Sequence, residues 1–341
     1  MARCAAMTYD PFRRGEHPVG VRSVELAGIA DGRLATEVWY PATAEHAGDD
    51  LDPSRRDRYL IGDGIPEGWQ AARRDAEPAP GTFPLAVFSH GFAGHRRQST
   101  FLCTHLASHG WVVAAADHPD TFMAVAARGW RTDTDTWRHS MDRRPAEVRL
   151  LIAAAGDGRL GVTTDPTRVG VTGHSFGGWT ALRVVSQEPR VAGVVALAPA
   201  IVAPELRAAL DLRWPHPVPV LIVAAERDSV VPRVGIEAAS RDLPAPATLV
   251  VLAATDHMHF CDTARQIHEL YRTLPVTPVP LTSPLPPFAE LIPARLGHDA
   301  TAGLTLAHLE AAVLDREPAR AFCAADVTIA LGARGIVARR A

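Results

Sequence analysis

Between residues 168 and 185 the chain reads RVGVTGHSFGGWTALRVV, a strand, a sharp turn and a helix with a single hydroxyl at the apex. Residues 168–172 alternate apolar and polar with β-branched side chains, residues 173–177 give G-x-S-x-G, and residues 178–185 continue with a helical apolar period. The spacing has a steric origin. A turn this tight holds its central residue in a strained conformation, so the positions two before and two after must lack side-chain bulk for strand and helix to pass closely. Both are glycine here, and Gly178 follows. Ser175 is therefore the candidate nucleophile, and the amide of Phe176, at a helix N-terminus, is a candidate donor to an oxyanion.

A serine hydroxyl is a poor nucleophile at neutral pH. It needs a neutral imidazole to take its proton, and that imidazole needs an acceptor on its other nitrogen. Two later strands deliver such groups. Residues 219–225 (PVLIVAA) lead into Glu226-Arg227-Asp228, and residues 248–253 (TLVVLA) lead into Asp256-His257-Met258-His259. Asp228 is preferred over Glu226, which sits nearer the strand, and over Asp256, which is too close in sequence to reach round the His257 ring. His257 is preferred over His259 as the first histidine beyond the strand.

The remaining segments build a frame for these residues. Residues 21–27 and 33–40 read as an antiparallel edge hairpin. Residues 83–89 (FPLAVFS) and 111–116 (WVVAAA) are nearly all apolar, as expected of strands buried on both faces, and 191–199 is another. Helical runs at 98–108 and 142–155 alternate with them, which implies a parallel sheet. The first of these strands runs directly into His90-Gly91-Phe92, whose Phe92 amide is the second candidate oxyanion donor. His118 follows the strand at 111–116, with either a pocket or a turn role. Residues 42–82 read as a polar surface insertion anchored by YLIG and a Trp, and residues 120–141 as a flap carrying Trp130 and Trp137.

Composition removes whole chemistries. The sequence contains no Lys and no Asn, so a P-loop lysine, a Schiff-base lysine and N-glycosylation are all excluded. A net charge of -3 without a basic run argues against nucleic acid or an anionic membrane as the main partner. Four scattered cysteines lack any C-x-x-C, His105 and His109 lack an acidic co-ligand, and Asp256-His257-x-His259 lacks a third ligand. No metal and no cofactor are therefore expected. With no signal-peptide run in the first fifteen residues, the expectation is a soluble cytoplasmic protein without membrane insertion.

Taken together, GHSFGG at 173–178, FSHGFAG at 88–94, LASHGWVVAAADH at 106–118, ERDSVVP at 226–232 and DHMHFCD at 256–262 resemble the α/β-hydrolase superfamily. Within it they are similar to the platelet-activating-factor acetylhydrolases, the dienelactone-hydrolase-like enzymes and the bacterial polyester hydrolases. The resemblance implies a mostly parallel sheet with an antiparallel N-terminal edge and helices on both faces, over residues 17–272. It also implies hydrolysis of a small-molecule carboxylic ester through an acyl-enzyme on Ser175, with His257 as base, Asp228 as its acid and Phe92 and Phe176 as oxyanion amides. Acyl transfer, amidase or perhydrolase chemistry would use the same intermediate, and a silent binding protein is the remaining alternative. Phe92, His174 and Trp179 are expected to line the substrate site. Residues 273–341 read as a Pro-rich linker and two helical segments, 288–296 and 300–314, that either pack beside the site's mouth or form a homodimer contact.

Overall fold

The computed structural model describes residues 9–29, 32–62, 67–130, 134–201, 204–274 and 277–341. Its elements are β1 Val19–Ala27, β2 Arg33–Pro41, β3 Arg58–Tyr59, β4 Gly68–Trp69, β5 Arg73–Arg74, β6 Phe83–Ser89, α1 Thr100–Ser108, β7 Val112–Ala116, α2 Phe122–Ala127 and α3 Thr134–Gly156. They continue with β8 Thr164–His174, α4 Phe176–Val184, β9 Val191–Leu197, α5 Pro204–Ala208, β10 Val220–Ala225, α6 Arg233–Ser240, β11 Ala247–Leu252, α7 Ala264–Thr273, α8 Ala294–Val313, α9 Glu317–Ala324, α10 Val327–Gly332 and β12 Ala338–Arg340.

One sheet runs in the order β12-β11-β10-β9-β8-β6-β7-β2-β1-β5. Its middle, from β7 to β11, is parallel, while β2 pairs antiparallel with both β7 and β1. The apolar runs end up in the centre because a parallel strand is covered on both faces and has no polar side to show. Along β6, Leu85 and Val87 face α3 and α4, whereas Ala86 and Phe88 face α1 and α8. Among the described residues no helix is long and apolar enough to cross a membrane.

The C-terminal region departs from expectation. A single helix of 20 residues, α8, spans most of the two expected segments 288–296 and 300–314, α9 and α10 follow it, and α8 is a packing layer of the sheet. Leu304, Leu306 and Leu309 are buried with α1 and the β9–β11 strands. The two glycines of α8 each have a packing reason: a Cβ at Gly297 would press on the His259 ring, and one at Gly303 would overlap Phe12. The sheet reciprocates with Gly170, where a Cβ would lie 2.7 Å from Leu309 Cδ2. The chain then adds β12 antiparallel to β11. A boundary at residue 273 therefore does not correspond to a gap in the packing.

Candidate active site

The turn between β8 and α4 places Ser175 at φ 56°, ψ -116°, a strained conformation for a residue with a side chain. Neighbours hold it there: Ser175 N donates to Leu197 O at 2.8 Å, and Ala200 N donates to Ser175 O at 2.9 Å. The flanking glycines are required by contact, since a Cβ at Gly173 would overlap the Gly177 carbonyl and one at Gly177 would overlap the Ser89 carbonyl. The elbow is thus wedged against the end of β6.

From β10, the loop carries Asp228 to a buried position where Oδ1 accepts from Val230 N at 2.9 Å and Val231 N at 2.7 Å. Its Oδ2 lies 2.8 Å from His257 Nδ1, with both side chains nearly inaccessible to solvent. That bond puts the proton on Nδ1 and leaves Nε2 free to act as a base. Burial pushes the His257 imidazolium down, but the charge and hydrogen bond of Asp228, with the charge of Asp256, outweigh it and hold the pKa above the usual histidine value. Ser175 and His257 line the same cavity, although no hydrogen bond joins them among the described residues. In sites of this kind that contact commonly tightens only around substrate.

Each rival of these residues has another partner. His259 belongs to a capping box, accepting from Asp256 N at 3.1 Å and donating to Ile292 O at 3.0 Å. Asp256 pairs with the buried His268 at 3.1 Å, and Glu226 accepts from Ala254 N. His105 and His109 donate to the carbonyls of Pro11 and Arg13. Among the described residues no three His, Cys, Asp or Glu side chains cluster as a metal site would require. His118 does not reach the cavity; it is buried between Ser89 Oγ and Glu147.

Two amides complete the arrangement. Neither Phe92 N nor Phe176 N donates to an acceptor among the described residues, and the Phe92 and Ser175 side chains border the cavity. Trp137 stacks on Phe92 with ring centroids 4.4 Å apart and meets Phe176 edge-on at 5.0 Å, so it backs both residues. His174 borders the cavity with its ring 4.5 Å from that of His257 and its Nδ1 accepting from Gln98 Nε2 at 2.9 Å. Burial, then the neighbouring His257 charge, pushes its pKa well down, so His174 stays neutral.

Trp179 is a correction. It is fully buried in the core, donates from Nε1 to Leu206 O at 2.7 Å and does not border the cavity. α4 carries it beneath the sheet surface and away from the hydroxyl at the apex. The cavity, about 960 Å³, is walled beyond the motif residues by side chains the motifs do not mark. Tyr59, Ile61 and Trp69 come from the insertion at 42–82, and Ile267, Leu270 and Tyr271 come from α7. The insertion is therefore part of the site rather than a surface excursion. Of the expected flap, residues 131–133 lie outside the described residues; α2 contributes Phe122 to the wall, and Trp130 meets that ring edge-on. The C-terminal region reaches the cavity through Val279 and His298.

A family model described as platelet-activating factor acetylhydrolase, isoform II, matches residues 68–136. The platelet-activating factor acetylhydrolase of Cavia porcellus is 26% identical over 170 residues, 40% of this chain and 38% of that protein. Cutinase 1 of Thermobifida cellulosilytica is 28% identical over 152 residues, 44% of this chain and 50% of that protein. The bis(hydroxyethyl) terephthalate hydrolase of Streptomyces coelicolor is 30% identical over 157 residues, 45% of this chain and 42% of that protein. The matches span half or less of the length of these curated relatives. The structure of a ferulic acid esterase from Streptomyces cinnamoneus superposes with a TM-score of 0.61 over 88% of this chain and 91% of that one, at 23% identity. The chain has the α/β-hydrolase fold, and it resembles the serine esterases of the platelet-activating factor acetylhydrolase and cutinase group.

Proposed function

We propose that this protein is a serine esterase that cleaves small to medium, uncharged hydrophobic carboxylic esters. The observation that carries the reading is a strained Ser175 bordering one cavity with an Asp228-oriented His257 and two amides that have no acceptor among the described residues. His257 Nε2 takes the Ser175 proton as Oγ attacks the ester carbonyl, and the amides of Phe92 and Phe176 receive the negative charge that develops on its oxygen. His257 then returns the proton to the departing alcohol. Water, activated by the same imidazole, releases the acid from Ser175 and restores the hydroxyl.

The wall chemistry supports the substrate class. Phe92, Phe101, Phe122, Trp69, Ile267 and Leu270 offer apolar surface, and among the described residues Arg14 is the single arginine in the lining, which suits a neutral acyl or aryl group. The named relatives act on esters, which agrees with this reading. A series of nitrophenyl esters of increasing acyl length, run on wild type and Ser175→Ala, tests it. Turnover by wild type with a preference for apolar acyl groups, lost in Ser175→Ala, is expected. A folded wild type without turnover, or a serine-less variant that retains it, would overturn the reading.

A further inference from the structure

Beneath the loop that carries Phe92 lies a guanidinium that the steps above do not use. Arg144, on α3, is fully buried. Its Nε and Nη2 donate to the two carboxylate oxygens of Asp120 at 3.0 and 2.7 Å. Nη1 donates to His90 O at 2.6 Å, and Nη2 also donates to Gly91 O at 3.2 Å. Its Cζ sits 4.5 Å from the centre of the Phe176 ring. One buried cation therefore touches both the Gly91–Phe92 peptide and the ring of Phe176. Asp120 closes the circuit from the other side, its own carbonyl accepting from Ala93 N at 2.9 Å.

A buried ion pair seldom offsets its own desolvation through stability alone, so a geometric role is the better account of this one. The Gly91 carbonyl and the Phe92 N–H belong to the same planar trans peptide unit and point in opposite directions. Fixing the carbonyl on the guanidinium, with a second bond from His90 Nδ1 at 2.7 Å, aims the N–H away from Arg144. Donation from a cation also polarises the peptide and strengthens its N–H as a donor. The His90 ring is suited to this: burial, then the Arg144 charge, pushes its pKa well down, so it stays neutral with Nδ1 donating and Nε2 accepting from His118 N at 3.1 Å.

We propose that Arg144, held by Asp120, is a positioning residue that sets the direction of the Phe92 amide and the placement of Phe176 toward the developing oxyanion. The proposal rests on the esterase reading of Ser175. The test uses Arg144→Lys, which keeps the charge but lacks the planar fork that reaches two carbonyls and the Asp120 carboxylate together, and Arg144→Met. Nitrophenyl butyrate turnover and the affinity of a trifluoromethyl ketone, which forms an oxyanion on Ser175, are measured for each. In folded variants kcat should fall about 10- to 100-fold with KM little changed, less than outright removal of an oxyanion donor. Trifluoromethyl ketone affinity should fall by the same factor, which a purely structural role would not produce.

Retention of kcat within about two-fold in a folded variant, or a loss carried by KM alone, would overturn the proposal. Should neither variant fold, the wild-type protein decides the matter: the ¹⁵N–¹H signal of Arg144 Nε should move when the ketone adduct forms, and an unmoved signal counts against the proposal. A wild type that does not turn over esters removes both this proposal and the esterase reading. A wild type that turns them over, beside fully active Arg144 variants, removes this proposal alone.

Discussion

Two sets of serine, histidine and carboxylate stand out among the described residues, and of these two the first alone lines the large cavity. In the first, Asp228 Oδ2 lies 2.8 Å from His257 Nδ1 beside Ser175. In the second, Glu147 Oε2 lies 2.8 Å from His118 Nδ1, and His118 Nε2 lies 2.9 Å from Ser89 Oγ. Each imidazole even has a second histidine ring against it, His174 at 4.5 Å in one and His90 at 4.8 Å in the other. By hydrogen bonds alone the second set looks the more complete, because its hydroxyl is already engaged.

Backbone and access separate them. Ser175 occupies a positive-φ turn and borders the cavity, whereas Ser89 ends an ordinary strand, is wholly buried and lies within 3.4 Å of Arg144 Nη1. The comparison teaches that hydrogen-bonded order among three side chains is compatible with a purely supporting role. A hydroxyl becomes a nucleophile when the chain strains itself to present it beside open space and unshared amides.

The sharpest contrast is in turnover. Ser175→Ala should lower kcat/KM by about 10⁴-fold or more, while Ser89→Ala should stay within about 10-fold of wild type, in initial-rate measurements on a nitrophenyl ester. The carboxylates should divide the same way. Asp228→Asn should cost about 10⁴-fold in kcat through the wrong imidazole tautomer. Glu147→Gln should leave kcat nearly intact and lower stability by about 1–3 kcal/mol in urea unfolding, because His118 and Arg143 lose a buried charged partner.

Gly177→Ala should be the most damaging stability change, about 3 kcal/mol or more by thermal unfolding, because its Cβ must displace the Ser89 backbone that joins the two sets. The smallest effect concerns pH. His257 must be neutral to accept a proton and its pKa is raised, so kcat/KM should climb with pH through an apparent pKa above the ordinary value of about 6.5. The sign for stability is opposite. A raised histidine contributes fully below its unfolded pKa, and the contribution is lost as pH rises through the folded value. In Asp228→Asn the midpoint of any residual activity should move downward.

What the sequence discloses follows the same division. The central strands at 83–89, 191–197 and 220–225 were legible because doubly covered strands are continuous apolar runs. That Ser175, Asp228 and His257 gather at one edge of the sheet was legible because each lies just past such a run, where parallel sheets keep their ligands. The preference for His257 over His259 rested on distance from the strand, and the capping box that occupies His259 is its physical counterpart.

The cavity wall was not legible. Tyr59, Trp69 and Leu270 sit in segments whose period says only that they are partly exposed, and nothing local says which apolar side chains turn inward. Trp179 is close to Ser175 in sequence but lies in the core, so closeness along the chain does not place a side chain in the cavity. Arg144 left no trace, since a charged residue in DRRPAEVR reads as a solvated helix face until its partners His90, Gly91 and Asp120 arrive from distant loops.

The central claim is that Ser175, and not the hydrogen-bonded Ser89, is the reactive hydroxyl. Labelling the intact protein with a fluorophosphonate and mapping the added mass by peptide tests it most directly. The account predicts one adduct, on the peptide containing Ser175, that disappears in Ser175→Ala and persists in Ser89→Ala. An adduct on any other residue, or an ester-cleaving protein whose Ser175 stays unmodified at full inhibition, would contradict it.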